Sequence, residues 1–142
     1  MTARPSVSYQ RGLILETIRG DGAFLTGPAP QGRFNEELRR VRIALSPFGW
    51  GEVCLRDFEA VLSGAMLLKP DMSHLETWPD VFAPFETYVP FAWDAGDLIE
   101  KGRYYLAHEQ ERERIAAGAY ERYQQQIQQV EEKLEAVLAL IA

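Results

Sequence analysis

The run "AMLLKP", Ala65–Pro70, constrains this chain more than any other stretch. Its apolar residues follow one another without alternation, which is the pattern of a strand whose sheet is covered on both faces. Gly64 stands just ahead of it as a helix stop. From about Val53 to Ser63 the spacing predicts a helix, with Cys54, Leu55, Phe58, Val61 and Leu62 as its buried stripe. "VRIALS" before that reads as a strand, and Ser46 to Glu52 as a Gly-rich turn. Strand, turn, helix and strand in that order form a parallel crossover, which is right-handed and places the loops after successive strands on one edge.

The rest of the chain extends the pattern. A short helix with Leu13, Ile14 and Ile18 on one face has a serine ahead as a cap and Gly20 behind as a stop. "AFLTG" reads as a short buried strand, "PAPQG" as a loop and "RFNEELRR" as a helix presenting Phe34 and Leu38. "TYVPF" is a further strand that Pro90 confines to an edge or a strand end. "DAGDLIEKGRYYLAHE" and the segment from about Gln110 onward are helices. The expected fold class is therefore α/β, a Rossmann-like three-layer domain with a short, mostly parallel sheet, ending in a long C-terminal helix. In that last helix Tyr120, Tyr123, Ile127, Val130, Leu134, Val137 and Ile141 follow an unbroken three-then-four spacing. Such a seam suits a coiled coil or a partner domain, and a helix packed on its own core is the alternative. We expect a domain over 1–123, a helical extension over 124–142, and a homo-oligomer through 120–142.

Composition bounds the function. The chain has 142 residues, 46% of them hydrophobic and 25% charged, enough for one domain with its own core. A net charge of −6 argues against a nucleic-acid or anionic-membrane partner. No apolar run approaches the roughly 18 residues of a membrane span, and "MTARPSVSYQ" lacks the apolar core of a secretory signal. A cytoplasmic protein is expected. Cys54 is the single cysteine, and its place on an apolar stripe predicts a buried, inert thiol. His74 and His108 are far apart, so neither a metal site nor a cofactor is expected. Gly-x-Ser-x-Gly, Walker A and Gly-x-Gly-x-x-Gly patterns are absent from the sequence.

Ligands of open α/β sheets bind outside the carboxyl ends of the strands. The loops there are Ser46–Glu52 and Asp71–Trp78, facing each other if their strands are neighbours. Gly49 and Gly51 let a backbone approach a ligand, and the helix start that follows favours a phosphate. Arg56 adds a bidentate phosphate contact, and Glu59, on roughly the same side, an acceptor for a ribose diol. The plainer alternative is an exposed Arg56–Glu59 ion pair worth about 0.2–0.5 kcal/mol. Asp71, Ser73 and His74, with Glu76, make a polar cluster that suits a sugar or phosphate, or ordinary loop polarity.

The stretch from "RIALSPFGWGEVCLRDFEAVLSG" through "DLIEKGRYYL" to Tyr123 resembles the C-terminal, nucleotide-sugar-binding half of a GT-B glycosyltransferase of the group 1 type. That resemblance implies that Glu59 binds the donor ribose and that the turn at Gly49 and Gly51, with Arg56 beside it, approaches the diphosphate. The position of a further, sugar-contacting acid falls on Gly51, with Glu52 displaced by one. It also implies an acceptor domain on the N-terminal side, or a second chain in its place, and no catalytic residue can be assigned. Two alternatives stand beside it: a non-enzymatic protein that oligomerises through its last helix, and a regulator that holds the nucleotide without transferring a sugar.

Overall fold

The computed structural model describes residues 9–141, and the serine expected to cap the first helix lies outside them. At its centre is Met66–Pro70, here β2, with all five residues buried. It is flanked by β1 (Ile43–Leu45) and β3 (Val89–Phe91), both parallel to it, in the order β1-β2-β3. Leu45 aligns with Leu68, and Pro70 with Phe91, so the three strands end on one edge. Pro90 lies in the edge strand β3, where its missing N–H costs no ladder bond on the outer side.

Among the described residues there are six helices, α1 (Tyr9–Thr17), α2 (Gln31–Leu38), α3 (Leu55–Ser63), α4 (Leu98–Ala107), α5 (Glu109–Gln128) and α6 (Val130–Ile141). Alternate strand residues point to opposite faces. Met66 and Leu68 join Val89 and Phe91 on one face, where Ile14, Ile18, Leu98, Tyr105 and Ile115 cover them. Leu67 and Ala44 belong to the other face, with Leu38, Ala60 and Tyr88. This double cover makes the three layers of an α/β domain. Each fully buried Leu or Met contributes about 1.5–3 kcal/mol, which is why an unbroken apolar run can settle as β2.

Several elements differ from the sequence expectation. "AFLTG" is a loop, not a strand. The Asp21 carboxylate accepts from the Ala23 N–H at 3.0 Å and the Asp21 carbonyl from Phe24 N–H at 3.1 Å, which folds the segment into a turn. Leu25 is 76% exposed, while the Phe24 ring packs where Gly102 leaves room. The face of α3 is also rotated. Asp57, Ala60 and Val61 are buried; Leu55 and Leu62 lie in solvent and Cys54 is half-buried. Gly64 ends α3 with φ of 80°, a left-handed cap that disfavours side chains. The chain does end in the long helical stretch expected, with α5 and α6 meeting at Gln129, and α6 buries no residue. Val130, Leu134, Val137 and Ile141 of the seam are all exposed.

Where α5 crosses the loop before β3, Gly118 is the point of closest approach. A Cβ added there would stand 2.6 Å from the Glu86 carbonyl oxygen. Helix propensity favours Ala over Gly by about 1 kcal/mol, whereas overpacking costs about 1–3 kcal/mol. Gly118→Ala should therefore lower the melting temperature by several degrees; an unchanged or higher value would show that the loop yields freely.

Candidate functional site

The loops that leave the carboxyl ends of the strands meet around a buried charge. Asp57, in the first turn of α3, is 1% exposed and Lys69, in β2, is 0% exposed. Lys69 Nζ lies 3.1 Å from Asp57 Oδ1 and 3.0 Å from Oδ2. The same carboxylate accepts from the Ser46 hydroxyl at 2.6 Å and from the Cys54 N–H at 2.9 Å. Ser46 is the residue after β1, so one carboxylate ties β1, β2 and the start of α3 together. The Lys69 ammonium also lies 5.1 Å from the Phe48 ring centre and 5.8 Å from that of Phe82, within cation–π range. Half-buried Cys54 contributes its thiol, 3.3 Å from the Ser46 hydroxyl.

The second loop builds a polar rim on the same edge. Asp71 receives the Ser73 hydroxyl at 2.7 Å and the Ser73 N–H at 3.0 Å. The Ser73 hydroxyl above all, helped by its N–H and by the Tyr88 phenol, holds the Asp71 carboxyl below the usual carboxylate range. Burial pushes the Tyr88 phenol up to about 12, and that phenol accepts from Met72 N–H at 3.0 Å. Trp93 joins the two loops: its indole N–H donates to the Asp71 carbonyl at 3.0 Å, and its ring meets His74 edge-on at 4.9 Å and Phe48 at 5.6 Å. The loops after β1 and β2 thus face each other, with Trp93 from the loop after β3 between them.

Arg56 and Glu59 lie elsewhere, in a cavity of about 890 Å³ that runs along β1 between α1, α2 and α3. They do not form the ion pair that their spacing allows among the described residues; Glu59 Oε1 instead accepts from Gln31 Nε2 at 3.4 Å. Arg56 lies over the Phe34 ring at 5.8 Å. Gly49, Gly51 and Glu52 line a smaller cavity of about 240 Å³ with Trp50 and Arg11. Neither glycine has a positive φ, and a Cβ would meet nothing nearer than Arg11 Nη2 at 3.5 Å from Gly49. Arg11 lines both cavities. Its Nη2 donates to the Phe48 carbonyl at 3.3 Å, and Gln10 Oε1 accepts from the Phe48 N–H at 3.4 Å, so α1 is fastened to the Gly-rich turn. Among the described residues, no group of three or more His, Cys, Asp or Glu side chains is placed to hold a metal ion, and no helix is long and apolar enough to cross a membrane.

The expected residues are therefore divided: Ser46 in the buried cluster, Asp71, Ser73 and His74 on the rim, Gly49, Gly51 and Glu52 in the small cavity, Arg56 and Glu59 in the large one. Asp57, Lys69, Trp93 and Arg11 were not anticipated. A lysine inside a fully apolar strand was a signal, because it demands a buried carboxylate. Nothing near Arg11 in the sequence points to residues some forty positions later.

With the geometry in view, comparison adds a family. A family model described as glycosyl transferase-like matches residues 14–138, from the middle of α1 to near the end of α6. No curated protein and no solved structure matches the chain.

The buried cluster makes its own prediction. Asp57→Ala leaves the Lys69 ammonium buried without its partner, at a cost of about 3–5 kcal/mol, a fall of about 10 °C or more in melting temperature. The double variant Asp57→Leu with Lys69→Met should recover most of that loss. Thermal melts of the single and double variants check this, and equal losses in both would deny that the pair is the source.

Proposed function

The chain belongs to the glycosyl transferase-like family, and from that premise we propose that it binds the nucleotide-diphosphate part of a sugar donor as the C-terminal half of a GT-B enzyme. The observation that carries this reading is that Arg56 and Glu59 line one cavity without neutralising each other. A guanidinium with free donors recognises phosphate oxygens, and a carboxylate one helical turn on accepts a ribose diol. Each charge-assisted hydrogen bond of this kind contributes about 1.5–3 kcal/mol. The volume suits a nucleotide, since ligand cavities of about 300–1,000 Å³ are usual.

In this reading the Gly49–Gly51 turn and Glu52 flank the diphosphate, while Ser46, Asp71, Ser73 and His74 shape the edge toward which the sugar extends. Arg56 stabilises charge that develops on the departing diphosphate, an electrostatic role that needs no proton transfer. The acceptor and the other wall of the cleft come from an N-terminal domain or a second chain, and the cytoplasm is the compartment that fits the composition. A second reading, a non-enzymatic protein that oligomerises through its last helices, is favoured by the exposed apolar residues of α6. It predicts that deletion of the residues after Tyr123 abolishes a dimer in sedimentation experiments while leaving the melting temperature insensitive to nucleotides.

The test of the first reading is the melting temperature in a panel of nucleoside diphosphates and nucleotide-sugars. A ligand at a hundred times its dissociation constant stabilises by about 2.7 kcal/mol, a shift of several degrees for a domain of this size. One base should give that shift and Glu59→Gln should remove most of it. A wild-type protein indifferent to the whole panel would refute donor binding, and a shift that survives Glu59→Gln would take Glu59 out of the site.

A further inference from the structure

Trp93 is a half-exposed ring that the fold nevertheless holds in place. It keeps 50% of its surface in solvent, yet its indole N–H donates to the Asp71 carbonyl at 3.0 Å. Phe48 and His74 meet the ring at steep angles, 5.6 and 4.9 Å from it. The turn that carries it is fixed as well. The Ala92 N–H donates to Asp97 Oδ1 at 2.8 Å, and the Ala95 N–H to the Ala92 carbonyl at 2.8 Å. Ala95 takes a φ of 59°, a left-handed conformation that a residue with a Cβ keeps only where its surroundings impose it. A large aromatic surface is thus presented to water by a rigid turn, the arrangement of a ring that receives something.

The groups beside the ring decide what it receives. Asp71, whose carbonyl takes the indole N–H, also offers its carboxylate, so ring and acid are held side by side. Among the described residues its Oδ2 accepts only from the Ser73 hydroxyl, at 2.7 Å, and a carboxylate oxygen has room for a second donor. Asp94, next to Trp93 in the chain, is exposed as well. Two acids at this edge repel a phosphate. None of Asp71, Ser73, His74 and Trp93 lines the cavities beside β1 and the Gly-rich turn, so the edge is a separate place. Its occupant has an apolar face for the ring, hydroxyls for the carboxylate and no negative charge. A pyranose ring is built that way, with C–H bonds on its face and hydroxyls around its rim. We infer that Trp93 is the stacking platform for a saccharide ring of the acceptor, whose hydroxyls donate to Asp71. This assignment goes beyond the donor reading, in which the transferred sugar extends toward the same edge. It rests on that reading only for the word acceptor, because the stacking itself needs no nucleotide.

The test is an NMR titration of the full chain with the methyl glycosides of glucose, galactose and mannose at millimolar concentrations. The three tryptophans give three indole N–H resonances, and Trp93→Phe identifies the one from this edge. At least one glycoside should move that resonance saturably, without nucleotide present. Trp93→Ala should weaken binding by about tenfold or more, whereas Trp93→Tyr, which restores a stacking face, should keep it within about threefold. Asp71→Asn, which keeps the shape and removes the charge, should weaken it several-fold. Trp78→Phe, on an exposed ring beside Lys133 of α6, should leave it unchanged. The tyrosine and asparagine variants decide the matter should the alanine variant fail to fold. A Trp93 resonance that no glycoside moves overturns the platform, as does glycoside binding that survives Trp93→Ala. A resonance moved by choline and by no glycoside makes the edge a cation site, and one moved only by nucleotide-sugars makes it part of the donor site; either result overturns the acceptor assignment. Melts with nucleoside diphosphates separate this from the donor reading. If glycosides bind through Trp93 and no nucleotide raises the melting temperature, the platform stands and the donor reading falls. If nucleotides stabilise the protein and no glycoside binds, the donor reading stands and the platform falls.

Discussion

The contact between Asp57 and Lys69 is the constraint on which the rest of the arrangement depends. A lysine in the middle of a strand covered on both faces has no route to water, so its ammonium must find a carboxylate in the layer above. Asp57 supplies it, and in doing so turns α3 so that its charged residue, and not its leucines, faces the sheet. Small Ala60 beside it lets the helix come close. The carboxylate then binds Ser46, which sets where the chain leaves β1 and where the Gly-rich turn begins. Removal of solvent from a charged pair is rarely a gain in stability by itself; what this pair does is select one rotation of α3 out of several that hydrophobicity would accept.

That rotation has a consequence for the surface. With Asp57 inward, Arg56 and Glu59 turn toward α1 and α2, into the cavity along β1, and the outward leucines lie in solvent. The rim of Asp71, Ser73, His74 and Trp93 stands apart from this cavity, at the ends of β2 and β3. Aromatic contacts through Phe48 and Trp93 join this rim to the Gly-rich turn. A domain built this way offers a charged cavity beside β1 and a polar edge beyond it.

Much of the fold was legible. β2 was readable from its unbroken apolar run, β3 as an edge from Pro90, and α4 and α5 from their spacing, because length, period and breakers are local properties. The "AFLTG" strand failed because an Asp21 side chain captured the backbone into a turn, a contact that composition does not advertise. The stripe of α3 failed for a different reason: Asp57 reads as a surface charge unless its partner twelve residues on is considered with it. The same limitation hid Arg11, whose neighbours at Phe48 and Arg56 are brought to it only when α1 packs on the sheet.

The sequence by itself determined that this is an α/β chain with a parallel crossover, that Gly64 stops a helix and that the chain resembles a glycosyltransferase domain. Periodicity and chain punctuation carry that information within a window of a dozen residues. Only the tertiary structure decided which face of α3 is buried, that Arg56 and Glu59 do not pair, and that an arginine from the first helix joins them. Those outcomes turn on which charges can reach which partners once water is excluded, and that competition is resolved by contacts between distant segments.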